Sequence, residues 1–183
     1  MIMIKSKEEL KKIIINLEKT LYNSIKRNLP NNLSTELIKP EGLFRNLQLN
    51  IYPYDVLKSY LIDLEETMGL GYNLILDRFL KMEDLITLKN GNRLIGKIME
   101  IESKWYDNIF TKSKNIFESV SYEIKKTLYK NLTYEKYKRS ELDGLSNMTL
   151  DYYYKYVFKC MENDENPLFK IFNEFVSYKP SHL

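Results

Sequence analysis

Residues 6–25 of the chain read SKEELKKIIINLEKTLYNSI, and this stretch decides the fold class. Its apolar side chains recur every three or four positions, which places them on one face of an α-helix. Ser6 followed by Glu9 has the spacing of a capping box, a pattern typical of a helix start. The apolar stripe comprises Leu10, Ile13, Ile14, Leu17, Leu21 and Ile25. The same period returns along the chain, so we predict an all-α protein.

Similar stripes predict the other helices, and turn residues separate them. Further helices are predicted over residues 43–49, 56–64, 72–83, 93–109, 117–128, 134–142, 150–161 and 167–175. Gly69 and Gly71 suit a helix end, and Asn90-Gly91-Asn92 marks a turn. No run alternates between apolar and polar residues for long enough to predict a strand. We expect one compact domain over residues 1–183, a bundle of about seven to nine helices. The turn near 90–92 is where a break into two subdomains could fall.

The composition narrows the classes of function. The chain has 183 residues, of which 44% are hydrophobic, enough for a substantial core. Its net charge is only +3, and its basic residues are interleaved with acids, which argues against binding to nucleic acid. The sequence has no alanine and is rich in Lys, Asn, Ile and Tyr, a bias typical of an AT-rich bacterial genome. Its 15 tyrosines are therefore weaker indicators of function than they would be elsewhere.

Residues that hold metals or act as nucleophiles are scarce. The single cysteine, Cys160, fits a small buried hydrophobe, and the single histidine, His182, is next to the C-terminus. We therefore expect neither a metal site nor a cofactor. The acids that come closest to a Mg²⁺ site are interpreted as solvated helix-face residues: Asp63, Glu65, Glu66 and Asp77. The N-terminus does not fit a signal peptide, and no run approaches the ~18 apolar residues of a membrane span, so we expect a cytoplasmic protein.

Two polar-aromatic segments contain the candidate site. In the first, Arg45 and Gln48 share one helix face, and Tyr60 and Asp63 share another. The guanidinium of Arg45 suits a carboxylate or a phosphate, which it can hold with two parallel hydrogen bonds. The alternative is an internal ion pair, such as Arg45–Asp63, that locks two helices together.

In the second segment, Tyr137 and Glu141 are four residues apart on one helix face and are the candidates for a catalytic acid or base. Arg139 lies on a different face. Together with Tyr137, Trp105 and Tyr134 have the polar-tipped aromatic character of a pocket wall. The alternative is an amphipathic core in which the tyrosine hydroxyls reach the edge.

These segments resemble the bacterial domain of unknown function family 4125. The matching positions are Arg45, Gln48, Ser59, Tyr60, Leu61, Asp63, Leu64, Gly71, Asn73, Leu74, Met82, Trp105, Glu135, Tyr137, Arg139, Glu141, Leu142, Ser146, Thr149 and Leu150. The resemblance extends from about residue 18 to residue 178. The chain departs from the family pattern at two places. The family's Cys-Gln-Asp-Asp segment has no counterpart in residues 31–40, and Tyr72 stands where the family's Gly-Arg-Asn-Leu motif has its arginine. The resemblance thus implies a divergent member of a family without an assigned activity.

The residues support two functions of different class, and they favour the first slightly. The first is a pocket between helices for a small anionic metabolite, and whether a reaction follows is left open. The ligand-binding residues would be Arg45, Gln48, Tyr60, Asp63, Asn73, Trp105, Tyr137 and Arg139. The second is a non-catalytic module that binds or regulates a partner protein. It would use exposed aromatic residues such as Tyr152, Tyr153 or Tyr156.

Overall fold

The computed structural model describes residues 6–30, 38–112 and 133–177. Within these ranges the chain forms eight α-helices and no strand, which confirms the all-α prediction. The helices are α1 (Lys7–Ile25), α2 (Leu43–Ile51), α3 (Tyr54–Gly69), α4 (Leu74–Met82), α5 (Arg93–Lys112), α6 (Thr133–Asp143), α7 (Asn147–Glu162) and α8 (Pro167–Ser177). The helix predicted over 117–128 lies outside the described residues.

Helix α1 begins as its sequence predicts. The Ser6 hydroxyl accepts a hydrogen bond from the backbone N–H of Glu9 (3.2 Å), and the Glu9 carboxylate accepts one from the N–H of Ser6 (3.1 Å). This reciprocal pair is the predicted capping box, and it satisfies two backbone donors that the first helical turn leaves unpaired. The helix buries the apolar residues Leu10, Ile14 and Leu21, but it also buries Glu18.

The turn between α3 and α4 depends on one glycine and one asparagine. Gly71 has a φ of 75°, a left-handed conformation that glycine adopts without strain. The N–H groups of Gly71 and Tyr72 reach back to the carbonyls of Met68 (3.0 Å) and Thr67 (2.8 Å), which completes a Schellman motif. The Asn73 side chain then caps α4 by accepting hydrogen bonds from the N–H groups of Ile75 and Leu76. Helix α4 therefore begins at Leu74, two residues later than predicted.

The helices pack so that α6 and α7 join the early and late parts of the chain. Helix α3 contacts α1 and α7, α6 contacts α4 and α5, and α8 contacts α2 and α5. One large apolar cluster includes residues from both sides of the 90–92 turn, and a smaller cluster around Leu168 and Phe172 lies under α8. Asp143, at the end of α6, accepts hydrogen bonds from the N–H groups of Lys89 (3.0 Å) and Asn90 (2.8 Å). The segment before the turn is thereby fastened to α6.

Candidate functional site

The centre of the bundle contains charged side chains among the apolar ones. In the part of the chain that the structure describes, three cations and three carboxylates are each at most 4% exposed there: Arg45, Arg78, Lys138, Glu18, Glu102 and Glu141. We call these six residues the buried ion network, together with the polar side chains that bond to them directly or, for Tyr137, through Gln48. These side chains are Gln48, Tyr52, Tyr60, Tyr134, Tyr137 and Tyr153. Each of the helices α1 to α7 contributes at least one member, because the inner face of each carries a charged or hydroxyl-bearing residue.

Arg45 joins the first half of the chain to α6. Its Nη2 donates to Oε1 of Glu18 on α1 (2.5 Å), and its Nη1 donates to Oε1 of Glu141 on α6 (2.6 Å). The Tyr60 hydroxyl on α3 donates a second hydrogen bond to Oε1 of Glu18 (2.6 Å). Gln48, on the same helix face as Arg45, accepts from Nη1 of Arg45 (3.2 Å) and from the Tyr137 hydroxyl (2.7 Å). Four helices are thus held by one guanidinium and its partners.

Lys138 occupies the other side of Glu141. Its Nζ donates to Oε2 of Glu141 (3.1 Å) and to the Tyr52 hydroxyl (2.9 Å), and it lies 4.1 Å from the centroid of the Tyr153 ring. An ammonium group over an aromatic face is attracted by the ring's electrons, most strongly where water is excluded. The Tyr153 hydroxyl also donates to Glu102 on α5. These contacts join α5, α6 and α7.

Arg78 completes the charge balance. Its Nη2 is 3.7 Å from Oε1 of Glu141 and 3.3 Å from the hydroxyl oxygen of Tyr60. Its guanidinium carbon also lies 5.8 Å from the centroid of the Tyr137 ring. Glu141 therefore faces one cation from each of α2, α4 and α6.

The network fixes the protonation states of the two proposed acid–base residues. Burial alone would raise the pKa of Glu141, but Lys138, Arg45 and Arg78 outweigh it and hold that pKa well below its usual range. Burial and the Glu141 charge both raise the pKa of the Tyr137 hydroxyl. Near neutral pH, Glu141 is therefore ionised and Tyr137 is protonated, and neither pKa lies near the pH at which a general acid or base works best.

Little open space adjoins these groups. A cavity of about 10 Å³ lies among Arg45, Lys138 and Glu141, which is room for no more than one water molecule. Among the described residues, every buried side-chain nitrogen and oxygen has a hydrogen-bond partner. Two larger openings among the described residues lie at the surface: one of about 400 Å³ beside Leu29 and Phe79, and one of about 420 Å³ beside Trp105.

The structure brings together some of the predicted site residues and separates the others. Those that meet in the buried ion network are Arg45, Gln48, Tyr60, Tyr137 and Glu141. Those that lie apart from it are Asp63, Asn73, Trp105 and Arg139. Whether either set binds a ligand stays a prediction.

Arg45 forms internal ion pairs that join helices, as the alternative predicted, but its partners are Glu18 and Glu141, and the named partner Asp63 is wrong. Asp63 instead accepts a hydrogen bond from the backbone N–H of Ser146 (3.1 Å), the residue that caps α7. Arg45 extends toward Glu18 and Glu141 on other helices, because α2 presents its polar face to α1 and α6. Asn73 has a comparable structural position, since its amide donates to the carbonyl of Leu21 (3.0 Å) in addition to capping α4.

The expectation that Tyr153 is exposed is also wrong. Tyr153 is 3% exposed and bonded to Glu102, whereas its neighbour Tyr152 is 38% exposed and Tyr156 is half-buried. Tyr153 faces inward because it follows Leu150 by three residues, the spacing that places two side chains on one helix face. Cys160 is buried, as predicted.

Several members of the network are absent from the predicted site, although the sequence carries a signal for them. Glu18 lies between Ile14 and Leu21 at helical spacing, and Glu102 follows Ile98 by four residues. A charged residue at such a stripe position must be buried when the stripe is buried, and it then needs a partner. The missed residues are Glu18, Tyr52, Arg78, Glu102, Lys138 and Tyr153.

The described part of the chain offers no group of three or more His, Cys, Asp or Glu residues placed to hold a metal ion. None of its helices is both long enough and apolar enough to cross a membrane.

Comparison with known proteins gives one match. A family model described as "Protein of unknown function (DUF4125)" matches residues 8–179. No curated protein and no solved structure matches the chain.

Proposed function

This chain belongs to the DUF4125 family, and we propose that it is a non-catalytic module that binds a partner protein through its surface. In this proposal the buried ion network holds seven helices in a fixed arrangement and takes no part in chemistry.

The closure of the network is the observation that carries this proposal. Among the described residues, its cations and carboxylates are equal in number, and the adjoining cavity of about 10 Å³ has no room for a metabolite. A ligand would have to separate Arg45 from Glu141 or Lys138 from its acids. Leaving one buried charge without its partner costs about 3–5 kcal/mol, which the ligand's own contacts would have to offset.

Polar residues outside the network support the same proposal, because they cap helices or join one helix to another. Asp63 holds the N-terminus of α7, Asn73 caps α4, and the hydroxyls of Ser59 and Thr149 share a hydrogen bond of 2.6 Å between α3 and α7. With its polar core residues engaged in this way, the protein has its surface left for recognition.

Native mass spectrometry followed by reconstitution tests the proposal. We expect the purified chain to appear at its own mass of 22.0 kDa with no retained metabolite. A partner identified by crosslinking in the native cell should then form a stoichiometric complex with the chain when both are purified. A retained metabolite that is lost in Arg45→Met but kept in Arg139→Met would overturn the proposal, as would the failure of every crosslinked protein to form such a complex.

A second candidate function is the binding of a small anion in the core. The observation that favours it is the position of two cations, Arg45 and Lys138, beside the cavity of about 10 Å³ described above. A ligand carboxylate or phosphate would replace Glu141 as their partner. Thermal-shift measurements with a panel of carboxylate and phosphate metabolites test this candidate, because a ligand that binds only the folded state raises the melting temperature. A rise seen in the wild type and absent in Lys138→Met would favour it.

A further inference from the structure

The surface opening beside Trp105 is lined by residues of three helices and of the connection between α7 and α8. Its volume is about 420 Å³, within the usual range for a site that takes a small ligand or one anchoring side chain. Trp105 is on α5, Met161 is in the last turn of α7, and Phe169 is in the first turn of α8. The Asn166 amide donates to the carbonyl of Trp105 (3.1 Å), which joins the α7–α8 connection to α5. We call this opening the tryptophan groove.

One wall of the tryptophan groove is apolar. Met161 is 41% exposed and Phe169 is 37% exposed, although both are large hydrophobic side chains. Trp105 is partly buried against the smaller apolar cluster beneath α8. An aromatic ring held in place and flanked by exposed apolar side chains is a surface that a partner can cover.

Two other lining residues of the groove, Asp164 and Glu165, are acidic. Asp164 adopts a left-handed φ of 55°, and the N–H of Glu165 bonds to the carbonyl of Cys160 (2.8 Å). This reversal places both carboxylates at the C-terminal end of α7, where the helix dipole adds further negative potential. Lys170 is the cation among the described lining residues, so two carboxylates face one ammonium. Both acids are exposed.

We propose that the tryptophan groove receives a lysine or arginine side chain from a basic segment of a partner protein. This inference rests on the proposed function and names the chemistry of the partner. The cationic group would lie between the face of Trp105 and the carboxylates of Asp164 and Glu165. Its aliphatic stem would cover Met161 and Phe169. Charge complementarity to the carboxylates of Asp164 and Glu165 selects a basic partner segment over an acidic one.

Trp105 gives the test a direct signal, because it is the only tryptophan of the chain. The probe is a short peptide of alternating arginine and glycine, titrated into the protein while tryptophan emission is recorded. The control peptide has glutamate in place of arginine. We expect a saturable change with the arginine peptide only, and weaker binding as the salt concentration rises.

Matched variants locate the binding site. The double variant Asp164→Asn/Glu165→Gln removes both charges, and asparagine tolerates the left-handed conformation at position 164. We expect this double variant to bind the arginine peptide about tenfold more weakly, because it loses two exposed ion pairs with the peptide. The control, Glu65→Gln/Glu66→Gln, removes the same charge from exposed positions on α3 and should bind like the wild type.

No saturable change in emission, or equal affinities of the two double variants, would overturn the inference. If the arginine peptide gives no saturable change in emission while the reconstituted protein complex forms, only the tryptophan groove proposal is contradicted. If the peptide binds as expected while no protein complex can be reconstituted, the proposed function is lost and the groove remains a site for cationic groups.

Discussion

At the scale of single residues, Arg45 explains how a helical core accommodates charge. Its guanidinium is 2% exposed and is neutralised by Glu18 and Glu141. Burial opposes the positive charge, but the two carboxylates outweigh burial and raise the pKa of Arg45. The side chain therefore remains charged, and its removal would leave two carboxylates in a region that excludes water.

We predict that Arg45→Met destabilises the fold by about 3–5 kcal/mol, because methionine fills the space without neutralising either carboxylate. Urea unfolding followed by circular dichroism measures the change. The control is Arg139→Met, which removes an arginine outside the network and should change the free energy of unfolding by no more than about 0.5 kcal/mol. Equal losses for the two variants would contradict the role assigned to Arg45.

At the scale of helices, α6 contributes the most members to the buried ion network among the described helices. These members are Tyr134, Tyr137, Lys138 and Glu141, and Asp143 of the same helix holds the segment before the 90–92 turn. Residues three or four apart share one helix face, so a single helix presents several network members to its neighbours. The ends of the helices are set by local capping, as at Ser6 and Asn73.

Asn73→Ala is predicted to destabilise the protein by about 1 kcal/mol, the usual effect of losing an N-cap side chain. The cap of α4 is lost, and so is the hydrogen bond from the Asn73 amide to the carbonyl of Leu21. Thermal unfolding of the variant measures this effect. Asn23→Ala, at an exposed position on α1, is the control and should be neutral or slightly stabilising, since alanine is the better helix former. A neutral Asn73→Ala would refute the capping role.

At the scale of the whole molecule, the charge balance of the core makes stability depend on pH. The low pKa of Glu141 reflects the three cations that outweigh its burial. The pKa of Asp143 is lowered as well, because hydrogen bonds from Lys81 and from the N–H groups of Asn90 and Lys89 outweigh its burial. For a lowered carboxylate pKa, the stabilising contribution is complete above the unfolded-state pKa of about 4 and is lost as the pH falls toward the folded-state value.

We therefore expect the free energy of unfolding to fall as the pH is lowered from about 5 toward 2. Glu141→Gln should be less stable at neutral pH, because glutamine leaves Arg45 and Lys138 with less compensating charge. Its stability should also depend less steeply on pH. Urea unfolding at a series of pH values measures both effects, with exposed Glu65→Gln as the control. If the free energy of unfolding depends equally steeply on pH in Glu141→Gln and in the wild type, Glu141 is excluded as a source of the acid sensitivity.

A second prediction for the whole molecule concerns the 90–92 turn. The large apolar cluster combines Leu64 and Ile75, before the turn, with Ile98 and Leu150, after it. Because both sides share one core, we expect a single cooperative unfolding transition by calorimetry, with equal calorimetric and van't Hoff enthalpies. Two resolved transitions would support a subdomain break near the turn.

The sequence by itself determined the helices and their local starts, such as the capping box of Ser6 and Glu9 and the turn at Gly71. These features depend on residues a few positions apart, which interact in any helix or turn that contains them. The three-residue spacing of Arg45 and Gln48 also indicated that they share one helix face. It did not identify Glu18 and Glu141 as the partners of Arg45, because those residues are 27 and 96 positions away along the chain.

Only the tertiary structure decided which polar residues meet, that their charges balance in a closed network, and that the single tryptophan faces an acidic surface groove. The physical reason is that the partner of a buried charge is set by how helices far apart in sequence pack against each other. The periodicity of apolar residues specifies which face of each helix is buried. It does not specify which other helix packs against that face.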